Sequence, residues 1–217
     1  MLKINNVAVL GTGVMGSQIA AHCANAGLHV FAFDIKQDVS EKGIENATKI
    51  KPNAFYNKKD ASLIECCNYD DHLDKLKECD WIIEVIAERL DWKKELYTKI
   101  TPFITNQIVT SNTSGISLAE LSEDMDKNLK KKFFITHFFN PPRYMKLVEF
   151  IYSKSNDINL INGMVEFMEE SLGKGVVYAK DTPNFIANRI GVFGMMVTVN
   201  ESIKRKMNIE DVDGLTG

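Results

Sequence analysis

Cysteine is scarce in this chain: four among 217 residues, Cys23, Cys66, Cys67 and Cys79. Their spacing fits neither a small secreted disulfide framework nor the paired CxxC of a zinc site. Cys66, Cys67 and Cys79 with His72 contain metal-ligating types, but metal sites use tighter ligand spacing, so no metal is expected. Reduced thiols in a cytoplasmic setting are the default. An excess of one charge is lacking too: 26 Lys+Arg face 29 Asp+Glu, for a formal net charge of -3. That balance argues against a protein whose main task is holding nucleic acid. No apolar run approaches the roughly 20 residues of a membrane helix, so no membrane insertion is expected. The opening Met1-Leu2-Lys3-Ile4-Asn5-Asn6 has no signal-peptide anatomy. There is no internal repeat and no low-complexity tract. What is present is ordinary for a folded protein, 45% hydrophobic and 25% charged, apolar enough to offset the entropy of folding.

Val7-Ala8-Val9-Leu10 is a short apolar run that ends at glycine, the pattern of a strand buried on both faces. From Val14 to Ala26 small and apolar residues recur at helical spacing, with Gly27 placed as a C-terminal cap. His29 to Phe33 reads as a second buried strand ending at Asp34. Strand, glycine turn, helix and strand make a βαβ unit, and such units build parallel sheets. Residues 38–68 read as a helical excursion, broken at Pro52. Further strands are expected at Trp81–Ile86, Gln107–Thr110, Phe133–Thr136, Met145–Ile151 and Gly175–Tyr178, with helices at Leu90–Ile100 and Asp157–Leu172. Asp181-Thr182-Pro183 reads as a helix start, a capping side chain followed by proline at the first helical position. That helix is expected to run to Lys206. Asn208–Gly217 resembles the opening of another.

Gly11-Thr12-Gly13-Val14-Met15-Gly16 is a G-x-G-x-x-G that follows a strand and opens a helix, the context that gives this pattern meaning. Gly11 permits the tight turn, Gly13 lets a pyrophosphate approach the backbone, and Gly16 lets the helix pack closely on the sheet. The helix N-terminus offers amides and positive dipole to phosphates. Asp34 suits a ribose diol and repels a 2′-phosphate, which favours NAD over NADP. Glu88 and Lys93 lie just past the Trp81–Ile86 strand, where open sheets bind ligands; a solvated ion pair is the simpler reading of these two residues alone.

His22 and His29 lie in the first βαβ unit and read as structural, and His72 as exposed. His137 lies at the carboxyl end of its strand, where a ligand crevice opens, and imidazole suits proton transfer near neutrality. Glu149 shares a strand face with Leu147 and Ile151. A carboxylate there needs a partner, either His137, 12 residues away through a proline turn, or a structural lysine or arginine. Ser111-Asn112-Thr113-Ser114-Gly115 follows another strand and reads either as part of a site or as a helix N-cap. Asn188 is an isolated helical asparagine.

Together Gly11–Gly16 with Asp34, Ser111–Ser114, His137-Phe138-Phe139-Asn140-Pro141, Met145–Glu149 and Asp181–Arg189 resemble the L-3-hydroxyacyl-CoA dehydrogenases, in family order across nearly the whole chain. The resemblance implies an α/β fold: a Rossmann-type, doubly wound, mostly parallel sheet over residues 1–185, then the start of a truncated all-α domain over 186–217. It makes His137 the catalytic base and Glu149 its partner. Ser114 and Asn188 would hold the substrate oxygens, and Glu88, Lys93, Ser114 and Asn140 would approach the nicotinamide half of NAD. The implied reaction is oxidation of a 3-hydroxyacyl-CoA in fatty-acid β-oxidation. Gly115 and Asn184 depart from the family, where serine and glycine are common; both forms resemble longer members that also carry an enoyl-CoA hydratase module. The helical domain of the family closes over the site and commonly forms the dimer interface. A chain with only its start is expected to have low activity and to self-associate through Met195, Met196, Val197 and Val199. The competing readings are a non-catalytic NAD-binding module and a sister dehydrogenase for another 3-hydroxy acid. The lysines at 36, 42, 49, 51, 58 and 59 suit CoA phosphates or a solvated face equally.

Overall fold

The computed structural model describes residues 2–216. The chain opens with β1 (Asn6–Leu10), α1 (Val14–Asn25), β2 (His29–Asp34), α2 (Gln37–Lys49) and β3 (Ile64–Asn68). It continues with β4 (Trp81–Glu84), α3 (Leu90–Ile100), β5 (Ile108–Ser111), α4 (Leu118–Ser122), α5 (Lys127–Lys132) and β6 (Phe133–Phe138). Then follow β7 (Leu147–Ile151), α6 (Ile158–Glu170), β8 (Gly175–Tyr178), α7 (Ala187–Arg205) and α8 (Ile209–Thr216). The eight strands form one sheet in the order β3-β2-β1-β4-β5-β6-β7-β8. All neighbouring pairs are parallel except β6 and β7. The fold is the expected Rossmann-type, doubly wound sheet. Its winding reverses between β1 and β4, which opens a crevice outside their carboxyl ends.

Alternation sends successive strand residues to opposite faces. Val7, Val9, Val30, Ala32, Val148 and Phe150 pack beneath α1, α2 and α6. Ala8, Leu10, Ile82, Val109, Ile135 and Ile151 pack beneath α3, α4 and α5. His137 and Glu149 continue the second face, at the end of the sheet where β1 and β6 finish and the glycine turn lies.

Three expectations are corrected. The excursion at 38–68 is not wholly helical, because its end forms β3. That strand pairs with β2 alone, and its mixed Ile-Glu-Cys-Cys-Asn pattern hides an edge strand. Residues 111–114 do not cap the following helix: Ser117 and Glu120 form a reciprocal capping box on α4. Asp181 does not cap its own helix either. Its carboxylate accepts from the N–H groups of Leu118 (2.7 Å) and Ala119 (3.0 Å), at the start of α4. Pro183 lies in a turn, and α7 begins at Ala187. None of the residues of α7 or α8 is buried. No helix among the described residues is long and apolar enough to cross a membrane.

Candidate active site

Gly11 has φ +104°, and a Cβ there would lie 2.8 Å from the Val85 carbonyl oxygen. A Cβ on Gly16 would lie 1.8 Å from the Gly11 carbonyl oxygen, so the turn closes only with glycine at both positions. Gly13 is different: a Cβ there would meet nothing within 4 Å, which leaves open ground in front of the backbone. No side chain caps α1, whose first turn contains no acidic residue. Its free amide end is suited to an anion. Val14 is exposed, and Met15 is half-buried against the core. Asp34 Oδ2 accepts from the Thr12 N–H (2.8 Å) and hydroxyl (2.6 Å), and Oδ1 accepts from the Ile35 N–H. A cavity of ≈ 470 Å³ runs from Gly11, Gly13 and Asp34 past Tyr69 and Ile86 to Trp92 and Lys99. Turn, uncapped helix, carboxylate and cavity fit a dinucleotide.

On the other side of the winding reversal, Glu84 is fully buried at the end of β4. One oxygen accepts from Lys93 Nζ (2.5 Å) and the Ile86 N–H (2.8 Å). The other accepts from the Tyr97 (2.7 Å) and Ser111 (2.6 Å) hydroxyls. Burial first, then the Glu84 charge, pushes the Tyr97 phenol well above its usual range. Lys93 is therefore not a solvated cation: it is 1% exposed, and its Nζ lies 3.6 Å from Glu88 Oε2. Glu88 Oε1 accepts from the Thr113 hydroxyl (2.6 Å) and from the N–H groups of Ser114 and Gly115 (both 2.8 Å). Burial alone would raise the Glu88 carboxyl. The Thr113 bond, the Lys93 charge and the two amides outweigh it and hold it below the ordinary value. Ser114 is thus fixed beside Glu88 by its own N–H.

His137 lies within β6, one residue inside the end of a strand that runs further than the sequence pattern indicates. It is the register partner of Glu149 on antiparallel β7. Its Nδ1 lies 2.8 Å from Glu149 Oε2, with both side chains buried. A carboxylate only accepts, so Nδ1 carries the proton and Nε2 is the ring nitrogen left for chemistry. The imidazole is flanked by the rings of Phe139 (4.5 Å between centroids) and Phe185 (5.8 Å). Asn140 Oδ1 accepts from Gln18 Nε2 on α1 (3.2 Å), which ties the loop after β6 to the glycine-turn helix. Asn112 Oδ1 accepts from the Phe138 N–H. Asn188 is half-buried, one residue beyond Ala187, whose N–H donates to Glu149. The structure thus draws His137, Glu149 and the start of α7 together, and separately Glu88, Lys93 and Ser114.

A family model described as "3-hydroxyacyl-CoA dehydrogenase, NAD binding domain" matches residues 6–182. The chain belongs to this family. NAD is the cofactor of the matched domain. A Bacillus subtilis "Probable 3-hydroxyacyl-CoA dehydrogenase" is 44% identical over 99% of the chain and 30% of its own length. A Deinococcus radiodurans protein of the same name is 42% identical over 100% of the chain and 65% of its own length. The chain thus spans from under a third to just under two thirds of these relatives. Among solved structures, the 3-hydroxyacyl-CoA dehydrogenase of Archaeoglobus fulgidus superposes with a TM-score of 0.77 at 30% identity, covering 96% of this chain and 67% of that one.

Glu84 and Phe185 were not singled out in the sequence, and Asp181 was assigned to the wrong helix. Glu84 had the signal that singled out Glu149, a carboxylate in an apolar strand. Phe185 had none, and the capping signal of Asp181 did not say which helix it serves, because their partners lie far away in sequence.

Proposed function

We propose that this chain carries the NAD site and the proton acceptor of a 3-hydroxyacyl-CoA dehydrogenase, oxidising a (S)-3-hydroxyacyl-CoA to the 3-oxoacyl-CoA in fatty-acid β-oxidation. The observation that supports this reading most directly is the buried His137–Glu149 pair, 2.8 Å apart at the same end of the sheet as the glycine turn. Bound NAD supplies a hydride acceptor for C3 of the substrate. His137 Nε2 takes the proton of the 3-hydroxyl as the C3–H bond breaks. Glu149 fixes the ring tautomer and stabilises the imidazolium that results.

The residues from Gly11 to Gly16 hold the pyrophosphate, and Asp34 the adenosine ribose. Glu88, Ser114 and Asn140 line the nicotinamide side. Lys93 contributes from beneath, through the Glu84 and Glu88 carboxylates. Ser114 and Asn188 bind the substrate oxygens. Residues 1–185 form the cofactor domain, and 186–217 begin a helical one. The test is His137→Gln in a longer polypeptide that includes the whole helical domain, measured as NADH oxidation with acetoacetyl-CoA. Turnover should fall roughly 100-fold or more, the scale of a lost general base, while NADH binding holds. Wild-type turnover in that variant would sink the assignment. Equal rates with free acetoacetate would instead move the substrate class to another 3-hydroxy acid.

A further inference from the structure

Glu149 has a second engagement that proton transfer does not require. While Oε2 meets His137, Oε1 accepts from the backbone N–H groups of Ile186 (2.9 Å) and Ala187 (2.7 Å). These amides stand at the N-terminus of α7, which has no side-chain cap of its own. A strand carboxylate 37 residues earlier therefore caps this helix. Both of its oxygens are fixed, and the side chain is 1% exposed.

The backbone that presents these amides is strained. Asn184 (φ 61°) and Phe185 (φ 46°) are consecutive non-glycine residues in the left-handed region. Such conformations persist only where the surroundings over-determine them. Here Phe185 is 2% exposed and sets its ring 5.8 Å from the imidazole. Asn184 Oδ1 lies 3.4 Å from where a Cβ on Gly115 would stand, beside the Glu88–Ser114 loop. One turn thus touches the imidazole, its carboxylate and the opposite loop. The rest of α7 buries no residue, so its place relative to the sheet is held chiefly at this end.

We infer that Ile186 and Ala187 are positioning residues, whose backbone amides hold Glu149 and through it aim His137, so that the seating of α7 governs the proton acceptor. The inference rests on His137 being that acceptor. A helix seated on the carboxylate locks it in one rotamer and keeps Oε2 on Nδ1. A helix that lifts away frees the carboxylate to turn, and the ring loses its fixed tautomer.

The test replaces Ala187 by L-lactic acid, which exchanges the N–H for an ester oxygen and keeps the side chain. The same exchange at Ile186, with its hydroxy-acid analogue, removes the other donor. NMR of the protein without substrate then reads solvent exchange of the His137 Nδ1 proton, and steady-state assays read turnover. Exchange should quicken and kcat fall, each roughly tenfold for loss of a hydrogen bond to a charged group, with KM for NADH unchanged. In a Glu149→Ala background the ester should add nothing. Unchanged exchange in both ester proteins, or a kcat loss that adds in full to that of Glu149→Ala, would overturn the inference. Full turnover in His137→Gln would sink the acid–base reading instead, and the exchange measurement would still decide the coupling.

Discussion

Thr12 gives both of its donors to one oxygen of Asp34, the N–H at 2.8 Å and the hydroxyl at 2.6 Å. The second residue of the glycine turn and the end of β2 are thereby locked across the mouth of the cavity. If Asp34 holds the ribose as proposed, its carboxylate is fixed in advance, which reduces the ordering cost of binding.

Asp34→Ala should weaken NADH by roughly tenfold or more, the loss of a charge-assisted bond. It should also relax discrimination against NADPH, since the repulsion of a 2′-phosphate goes with it. Fluorescence titration with both nucleotides measures this. An unchanged preference would remove Asp34 from the ribose site.

Lys93→Met should cost about 3–5 kcal/mol, because it strands the Glu84 carboxylate in a fully buried site. The thermal midpoint would fall by roughly 10 °C for a chain of this size. Calorimetry checks it; a change of a degree or two would mean that Tyr97, Ser111 and the Ile86 amide satisfy Glu84 without the ammonium.

His22 gives the chain an acid-sensitive term. Burial, then the Lys174 charge, lowers its imidazole from 6.5 to about 4. The folded value lies below the unfolded one, so the unfolded chain takes up the proton first as pH falls. Stability is present above 6.5 and is lost towards about 4. Between pH 7 and pH 5 this residue should account for about 2 kcal/mol. Urea titrations of wild type and His22→Gln at both pH values test it. An equal loss of stability between the two pH values in both proteins would contradict the assignment.

The last two helices should drive self-association. Ile190, Phe193 and Val197, on one face of α7, are 66%, 71% and 44% exposed, and contiguous apolar surface finds partners. Light scattering of the chain should show oligomers, and Phe193→Glu should shift them towards monomer. A monodisperse wild-type monomer at high concentration would refute this.

The glycine turn, the βαβ unit and α3 were legible because each depends on neighbours a few residues apart. Gly11 and Gly16 announce a turn in which a Cβ would strike backbone, and Leu90–Ile100 matches α3 residue for residue. The edge strand β3 was not legible, since one partner and one half-buried face leave little pattern. Gly43 was missed for a related reason. A Cβ there would lie 2.4 Å from the Thr12 carbonyl oxygen, a closeness that exists only once α2 has docked on the turn.

By itself the sequence determined where the chain turns and where it is buried, and it singled out side chains of a type able to carry proton chemistry, because backbone sterics and apolar periodicity are local. It showed that Glu149 was a carboxylate in need of a donor without showing which donor would come, and it left Glu84 unremarked in an apolar strand. Only the tertiary structure decided that Glu84 meets Lys93, that Asp181 caps a helix 63 residues earlier, and that Glu149 serves the imidazole and α7 together. The reason is physical: the cost of burying a charge is a property of the residue, whereas the partner that offsets it is set by register and docking across the whole sheet.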